Sequence, residues 1–213
     1  MKTQIITNTE QFIPTLVLKN TVLFPNVALP VLISKTVGLN AIQRALEMGK
    51  DKLFVAITLK EGVAIEQATS SDFFEVGTLC TIDKIEKNEK GETIAFIKSL
   101  YRFRALEIEY EQAFASWMIR GEPVLDIMDL DAPTEKALLR SLKEISGEIL
   151  TSLNISSDLQ KTLDDFDNAA QFTNLAAQNL PLILTKKQEI LEMTSVKNRA
   201  LKILELLVEQ REM

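Results

Sequence analysis

The side chains that could support catalysis are few, and they are not arranged as a known active site. The chain has no histidine, which is the commonest general base and metal ligand, and Cys80 is its single cysteine. Gly49-Lys50-Asp51 lacks the upstream glycine and the hydroxyl residue that a phosphate-binding loop requires. Asp164 and Asp165 could do acid–base chemistry, but adjacent carboxylates near a helix start are usually caps or solvated charges. We therefore predict no catalytic, metal-binding or cofactor-binding residue.

Three basic residues could form an anion-binding patch. Arg102 and Arg104 lie on one face of a predicted strand, and Lys98 precedes them closely. Such a cluster could bind an acidic peptide or a ribose-phosphate backbone. The net charge of −6 disfavours nucleic acid as a partner, because an extended nucleic-acid surface needs a basic face. The three residues are a candidate basic patch, but for the arginine pair we expect a structural salt bridge rather than a ligand site.

A proline-flanked apolar segment gives a more specific binding hypothesis. Val22, Leu23 and Phe24 lie where prolines hold the backbone extended and few ladder hydrogen bonds are available. They could plug one end of a β-barrel, or form an exposed lip beside a groove for apolar segments of an unfolded chain. Phe73 and Phe74 cannot both face inward on a strand, so they could extend the same surface. The candidate peptide-binding surface comprises Val22, Leu23, Phe24, Val27, Phe73 and Phe74.

The first half of the chain has the patterns of strands and of one helix. Short apolar runs bounded by prolines predict an edge strand, a loop and a second strand within residues 14–33. Helical spacing predicts a helix over residues 34–49. Apolar runs and alternation predict strands at residues 53–57, 76–85, 93–97, 100–108 and 114–124. So many strands with so little helix must roll up to hide an inner face. Cys80 lies on an apolar strand face, which favours a core residue over a reactive thiol.

The pattern changes near residue 126. Residues 126–133 are acidic and contain a proline, and the strand signals end there. Beyond them, apolar residues recur every three or four positions in five segments, which predicts a helical bundle. We therefore predict an α+β protein of two domains, a β-barrel at residues 1–125 and a helical bundle at residues 126–213.

Composition limits the compartment. Of the 213 residues, 46% are hydrophobic and 25% are charged, which is ordinary for a soluble globular chain. No apolar run approaches the length of a membrane span, and the first ten residues lack the apolar core of a signal peptide. A single cysteine fits a reducing compartment. These features predict a cytoplasmic protein with no membrane partner.

Four segments together resemble the N-terminal domain of the Lon family of ATP-dependent proteases. They are the stretch from Leu16 through Phe24-Pro25 to Pro30, the strand Phe73–Thr78, the turn residue Gly91 and the strand Leu100–Arg104. The family's helices are similar to three further segments, Asn179–Pro181, Lys187–Glu192 and Leu201–Leu207. The resemblance covers residues 14 to about 210 and depends on order and spacing rather than on one motif. The chain departs from the residues usual in the family at Lys19, Asn26, Ser34–Gly38 and Ser99.

The resemblance implies a PUA-like β pseudo-barrel followed by a helical bundle. In the family these parts recognise unfolded or tagged substrates and help to hold a hexamer together, while the catalytic machinery lies further along a full-length chain. The implied function is a non-catalytic module that binds unfolded or hydrophobic polypeptide segments for ATP-dependent proteolysis, without a cofactor. Further implied partners are ATPase and protease domains and other copies of the chain.

Two points stay open at the level of sequence. A stand-alone PUA-like protein that binds RNA or acts as an adaptor is the alternative function. The chain begins with Met and closes on the polar helix end Glu209–Met213, which favours a stand-alone protein over a fragment.

Overall fold

The computed structural model describes residues 10–155 and 157–213, and these residues form a mixed sheet and six helices. The strands are β1 (Ile13–Leu18), β2 (Ala28–Ile33), β3 (Leu53–Thr58), β4 (Val76–Lys87), β5 (Thr93–Glu111) and β6 (Ser116–Val124). The helices are α1 (Thr36–Met48), α2 (Ala132–Ser152), α3 (Ser157–Asp164), α4 (Ala169–Asn179), α5 (Leu184–Glu192) and α6 (Val196–Glu212). Two single-turn 3₁₀ helices, Ile65–Gln67 and Ser70–Asp72, lie in the connection before β4. The predicted mixture of strands and helices is confirmed.

The six strands form one sheet in the order β2-β5-β4-β3-β1-β6. The last strand, β6, also pairs with β5, so five strands close a ring and β2 extends β5 on one side. The pair β1–β3 is parallel, and every other strand pair of the described residues is antiparallel. The prediction that the first strand lies at an edge is wrong, because β1 pairs with β3 on one side and with β6 on the other.

One long strand, β5, replaces the two strands predicted at residues 93–97 and 100–108. Its first part pairs with β2 over residues 93–98 and with β4 over residues 93–104. Its last part pairs with β6 over residues 102–111. A register shift between Ala105 and Glu107 marks a bulge in this last part. The length of β5 is what lets a single strand take part in three pairings.

Hydrophobic cores lie on both faces of the sheet. Along β3, Phe54 and Ala56 enter one core, while Val55 and Ile57 enter the other, as alternation along a strand requires. The unbroken apolar run of β3 is therefore a strand buried on both faces, as predicted. Helix α1 joins the first core through the buried side chain of Ile42.

The described residues divide into two compact units. The first contains the described residues up to Leu125 together with Ile183–Leu191, and the second contains Asp126–Leu182 and Glu192–Met213. Most of α5 thus belongs to the first unit, which differs from the expectation of one continuous helical domain. The physical reason is a buried hydrogen bond inside the first unit: the Gln188 side-chain amide donates to the Val76 carbonyl of β4 at 2.9 Å.

The second unit is held by a buried arginine and by capped helices. Arg199 is fully buried, and its guanidinium donates to both carboxylate oxygens of Asp126 at 2.8 Å. Ser195 caps α6, since its side chain accepts from the Asn198 N–H at 3.0 Å. Asp131 caps α2 in the same way. The acidic stretch after residue 125 is therefore bonded into the second unit rather than left as a loose linker.

Candidate functional site

The segment Val22–Phe24 lies in the interior. The exposed fractions of Val22, Leu23 and Phe24 are 1%, 6% and 0%. Leu23 packs in the same core as Ile42 of α1. The prediction of an exposed apolar lip at these three residues is wrong, and the alternative of a buried plug describes them. Val27, which follows the turn, is half-buried.

Side-chain hydroxyls explain how a segment outside any strand can be buried. Thr78 donates to the Leu23 carbonyl at 2.6 Å, and Ser99 donates to the Phe24 carbonyl at 2.6 Å. Thr58 donates to the carbonyl of Thr21 at 2.7 Å. These bonds replace the ladder bonds that the segment lacks, and a buried carbonyl without a partner would cost about 1–3 kcal/mol. The hydroxyl of Ser99, one of the departures from the family pattern, is thus a structural element.

The predicted basic patch is not a single surface. Arg102 is buried, with an exposed fraction of 2%, and its Nε donates to the Leu191 carbonyl of α5. Lys98 and Arg104 are exposed, and each lies near an acid: Lys98 Nζ is 3.2 Å from Asp83, and an Arg104 guanidinium nitrogen is 3.9 Å from Glu122. The prediction that Arg102 joins an accessible basic patch is therefore wrong, because this guanidinium satisfies a helix carbonyl instead.

The aromatic pair of the candidate surface lines a groove. Phe73 is buried and its ring lies 4.9 Å from that of Trp117, whereas Phe74 is half-buried. Both residues line a groove of about 480 Å³, and the same wall carries Lys60, Ser70, Ser71 and Glu75. Ala105–Ile108 of β5 form the opposite wall. Two of the predicted apolar residues, Phe73 and Phe74, thus lie beside an open cavity, which we call the β5 groove.

The β5 groove borders an unpaired strand edge. The β4 ladder ends at the pair Val76–Arg104, and one further bond runs from the Ala105 N–H to the Glu75 carbonyl at 2.8 Å. On the opposite side, β5 stays paired with β6 as far as Glu111. Among the described residues, no strand therefore pairs with residues 106–111 on the side where β4 has ended. We call residues 106–111 on this side the β5 edge.

The side chains of the β5 edge alternate in character. Ile108 and Tyr110 share one face of the strand, and Ile108 packs on the core that contains Trp117. The opposite face carries three acids, Glu107, Glu109 and Glu111. Leu106 lies at the bulge and is 51% exposed. Sequence reasoning missed this edge, although the alternation from Ile108 to Glu111 beyond the predicted end of the strand was a signal for it.

A small capped turn positions the aromatic wall. The Asp72 carboxylate accepts hydrogen bonds from the backbone N–H of Thr69 at 2.7 Å and from its hydroxyl at 2.8 Å. These two bonds lower the pKa of the Asp72 carboxyl below its usual value of 3.8. The backbone continues from this turn into Phe73 and then bonds back to β3 through Phe74, whose N–H donates to the Thr58 carbonyl at 3.0 Å. The wall of the groove is therefore fixed at both ends.

A larger hollow lies in the second unit beside α2 and α3, with a volume of about 1230 Å³. Its walls carry charges of both signs, for example Lys136 and Glu144, and its lining contains no aromatic residue. Such a lining offers no selection for one class of ligand, so we place the candidate site at the β5 groove.

Groups that could do chemistry are not assembled in the part of the chain that the structure describes. No group of three or more His, Cys, Asp or Glu side chains is placed there to hold a metal ion. Burial raises the pKa of the Cys80 thiol far above its usual range, so this residue is an inert part of the core. None of the helices among the described residues is both long enough and apolar enough to span a membrane.

Comparison with solved structures defines the class of the fold. The N-terminal domain of a Lon protease from the Mycobacterium avium complex superposes with a TM-score of 0.76 at 14% identity, covering 93% of this chain and 99% of that one. A Lon N-terminal domain protein from Xanthomonas campestris gives a TM-score of 0.63 at 17% identity, covering 92% and 98%. The chain therefore has the fold of Lon N-terminal domains.

Sequence comparison gives the family. A sequence profile for the ATP-dependent protease La (LON) substrate-binding domain matches residues 13–209, and the chain belongs to this family. Lon protease 1 of Bdellovibrio bacteriovorus is 29% identical over 202 residues, and a Lon protease of Halothermothrix orenii is 26% identical over 209 residues. These matches cover 94% and 96% of this chain but 25% and 26% of the relatives. The chain thus spans about a quarter of the length of these curated relatives.

Proposed function

We propose that this chain is a non-catalytic substrate-recognition module that binds unfolded or hydrophobic polypeptide segments for ATP-dependent proteolysis. The observation that carries the proposal is its membership of the Lon substrate-binding domain family over residues 13–209. The β5 groove supports the same function, because it combines half-exposed apolar side chains with an unpaired strand edge.

The remaining parts of the proposal follow from the same family. The closed ring of strands is the PUA-like pseudo-barrel of a Lon N-domain, and α2, α3, α4 and α6 form its helical bundle. The partners are unfolded segments, the ATPase and protease domains of a Lon-type enzyme, and other copies of this chain. The location is the cytoplasm. The alternative of an RNA-binding protein has little support, since Arg102 of its basic patch is buried.

Binding to an unfolded protein tests the proposal. The chain is titrated into a fluorescein-labelled protein that has been reduced and alkylated, and its affinity is followed by fluorescence anisotropy. We expect saturable binding that the same protein in its native, disulfide-bonded form does not show. A single-stranded RNA of matched length is the second probe. Equal binding of native and unfolded protein, or preferential binding of the RNA, would contradict the proposed function.

Catalysis is measured in the same preparation. We expect neither ATP hydrolysis nor peptide cleavage that co-purifies with the chain. Either activity, eluting with the protein and surviving a second purification step, would overturn the non-catalytic assignment.

A further inference from the structure

We propose that the β5 edge binds an extended polypeptide segment as an added strand, and that it selects segments in which apolar and basic side chains alternate. This inference rests on the proposed function and specifies where and how the substrate is held. Addition of a strand to an exposed sheet edge is a general mode of peptide recognition, in which main-chain bonds give affinity and alternate side chains give specificity.

The backbone of the β5 edge is extended and has a strand partner on one side only among the described residues. From Leu106 to Glu111, β5 is kept extended by its pairing with β6, while its other side has no strand partner among the described residues. Alternate residues of a strand direct their N–H and C=O groups to the same side, so six residues present about three donor–acceptor sets. The edge is therefore a preformed template of the length that a short added strand requires.

An aromatic floor adjoins one face of the edge. The Tyr110 ring lies 5.4 Å from Trp117, and Trp117 lies 4.9 Å from Phe73 of the groove wall. Tyr110 is 39% exposed, and Leu106 at the bulge is 51% exposed. An added strand places every second side chain over this face. Those side chains must be apolar to bury the exposed parts of Leu106 and Tyr110.

The opposite face sets the charge of the partner. Glu107 lies 3.1 Å from Arg120 on β6, whereas Glu109 has no ion pair with the described residues. Glu109 stands opposite Met118, an apolar residue, so the cross-strand neighbour on β6 does not balance its charge. A lysine or arginine on the added strand would be the direct neighbour of these glutamates on the free side. Opposite charges directly across a sheet are favourable, and like charges are unfavourable.

The same charges argue against a second copy as the occupant. Two β5 edges pairing antiparallel about Glu109 would place Glu109 opposite Glu109, and Glu107 opposite Glu111. Like charges directly opposite each other destabilise a strand pair. The edge therefore repels itself and other acidic strands, and it admits a basic and apolar strand.

Synthetic peptides test the inference on the whole chain. The first probe is a labelled peptide of about ten residues in which valine and lysine alternate, and its control replaces every lysine with glutamate. We expect the lysine peptide to bind at least about tenfold more tightly, with an affinity that falls as salt is added. Equal affinity of the two peptides would overturn the selectivity.

Backbone methylation of the probe tests strand addition without altering the protein. Two versions of the lysine peptide carry N-methyl groups on alternate residues, one on the odd positions and one on the even positions. In an added strand one set of N–H groups faces β5 and the other faces solvent, so one version should lose binding and the other should keep it. Equal affinity of the two versions, whether retained or lost, would overturn strand addition.

Reversing the charge of one glutamate of the β5 edge tests whether the peptide binds there. Glu109→Lys should weaken binding of the lysine peptide by about tenfold and strengthen that of the glutamate peptide. Glu89→Lys, in the exposed β4–β5 turn, changes net charge equally and should have little effect. Equal effects of the two variants would show a nonspecific field and contradict the inference. Binding of the unfolded protein distinguishes failure of this inference from failure of the proposed function. If the chain binds the unfolded protein but neither the methylation pattern nor Glu109→Lys changes peptide affinity, only strand addition at the β5 edge is wrong. If the chain does not bind the unfolded protein at all, the proposed function is wrong.

Discussion

The Val22–Phe24 segment and the β5 edge are both stretches in which the backbone lacks part of its strand pairing, yet they differ in every other respect. In the first, the apolar side chains are at most 6% exposed, and hydroxyls of Thr78 and Ser99 occupy the buried carbonyls. In the second, Leu106 is 51% exposed, and the side of β5 that faced β4 up to Arg104 has no strand partner among the described residues from Leu106 onward. The first stretch has its buried carbonyls bonded within the fold, whereas no strand of the described residues pairs with the free side of the second.

The difference shows how a structural apolar segment is told from a recognition surface. Hydrophobicity does not separate them, because the segment that looks more like an exposed lip in the sequence is the one in the core. The state of the backbone separates them: satisfied carbonyls accompany burial, and an unpaired edge accompanies exposure. Substitutions in each stretch should therefore have opposite effects on stability and on binding.

The largest effect should come from the buried segment. Phe24→Ala should lower the free energy of unfolding by about 3–5 kcal/mol, because it removes a fully buried ring and leaves a cavity. The affinity of the folded fraction for an unfolded protein should not change. Phe114→Ala is the control, since Phe114 is 40% exposed, and it should cost less than about 2 kcal/mol. Urea denaturation and anisotropy on the same samples measure both quantities, and weakened binding with unchanged stability for Phe24→Ala would reinstate the lip.

The hydroxyl contacts to the carbonyls of the buried segment should contribute less to stability than the Phe24 ring. Thr78→Val keeps the shape of the side chain but leaves the buried Leu23 carbonyl without its 2.6 Å bond, so it should cost about 1–3 kcal/mol of stability. Thr21→Val changes an exposed residue of the adjoining turn and should stay within about 0.5 kcal/mol. Equal costs of the two substitutions in urea denaturation would show that the hydroxyl does not hold the segment.

Much of this fold follows from sequence patterns, but the two stretches could not be assigned from them. Alternation predicts β4 and β6 close to their observed ranges, and helical spacing predicts α1 and five helices after residue 126. The burial of Val22–Phe24 depends on hydroxyls at Thr58, Thr78 and Ser99, which are 37–75 positions distant from their partners, and no local pattern links them. The β5 edge exists because the β4–β5 ladder stops at the pair Val76–Arg104 while β5 continues to Glu111. This is a property of the strand pairing and not of either strand alone. The burial of Arg102 and the place of α5 in the first unit are likewise tertiary facts.

At the β5 edge, a substitution should change the affinity for an unfolded protein more than it changes the stability of the fold. Leu106→Ser should change the free energy of unfolding by less than about 1 kcal/mol, because the side chain is already half exposed. It should weaken binding of the unfolded protein by roughly tenfold, equal to about 1.4 kcal/mol. Leu32→Ser is a matched control, since Leu32 is 50% exposed on β2, which pairs only with β5 among the described strands. Equal losses of affinity in both variants would show that any exposed leucine suffices and that the β5 edge is not special.

The smallest effect concerns the turn that holds the groove wall. The pKa of Asp72 is lowered by its bonds from Thr69, so the folded protein favours the ionised carboxylate. This contribution is present above the usual value of 3.8 and is lost as the pH falls through the lowered pKa. Acid should therefore loosen the turn and change the emission of Trp117, the only tryptophan, which contacts Phe73. Asp72→Asn should remove this change below pH 3.8, and an identical acid transition in the variant would assign it to another carboxylate.

Hydrogen exchange of the backbone amides, measured by mass spectrometry with and without a bound unfolded protein, distinguishes binding at the β5 edge from binding at the Val22–Phe24 segment. If the added strand pairs with the β5 edge, exchange within residues 106–111 should slow on binding, because N–H groups on the free side become hydrogen-bonded. Residues 22–24 should exchange at the same rate in both states, since these residues are already buried in the unbound chain. Slower exchange at residues 22–24, with no change at residues 106–111, would contradict strand addition at the β5 edge.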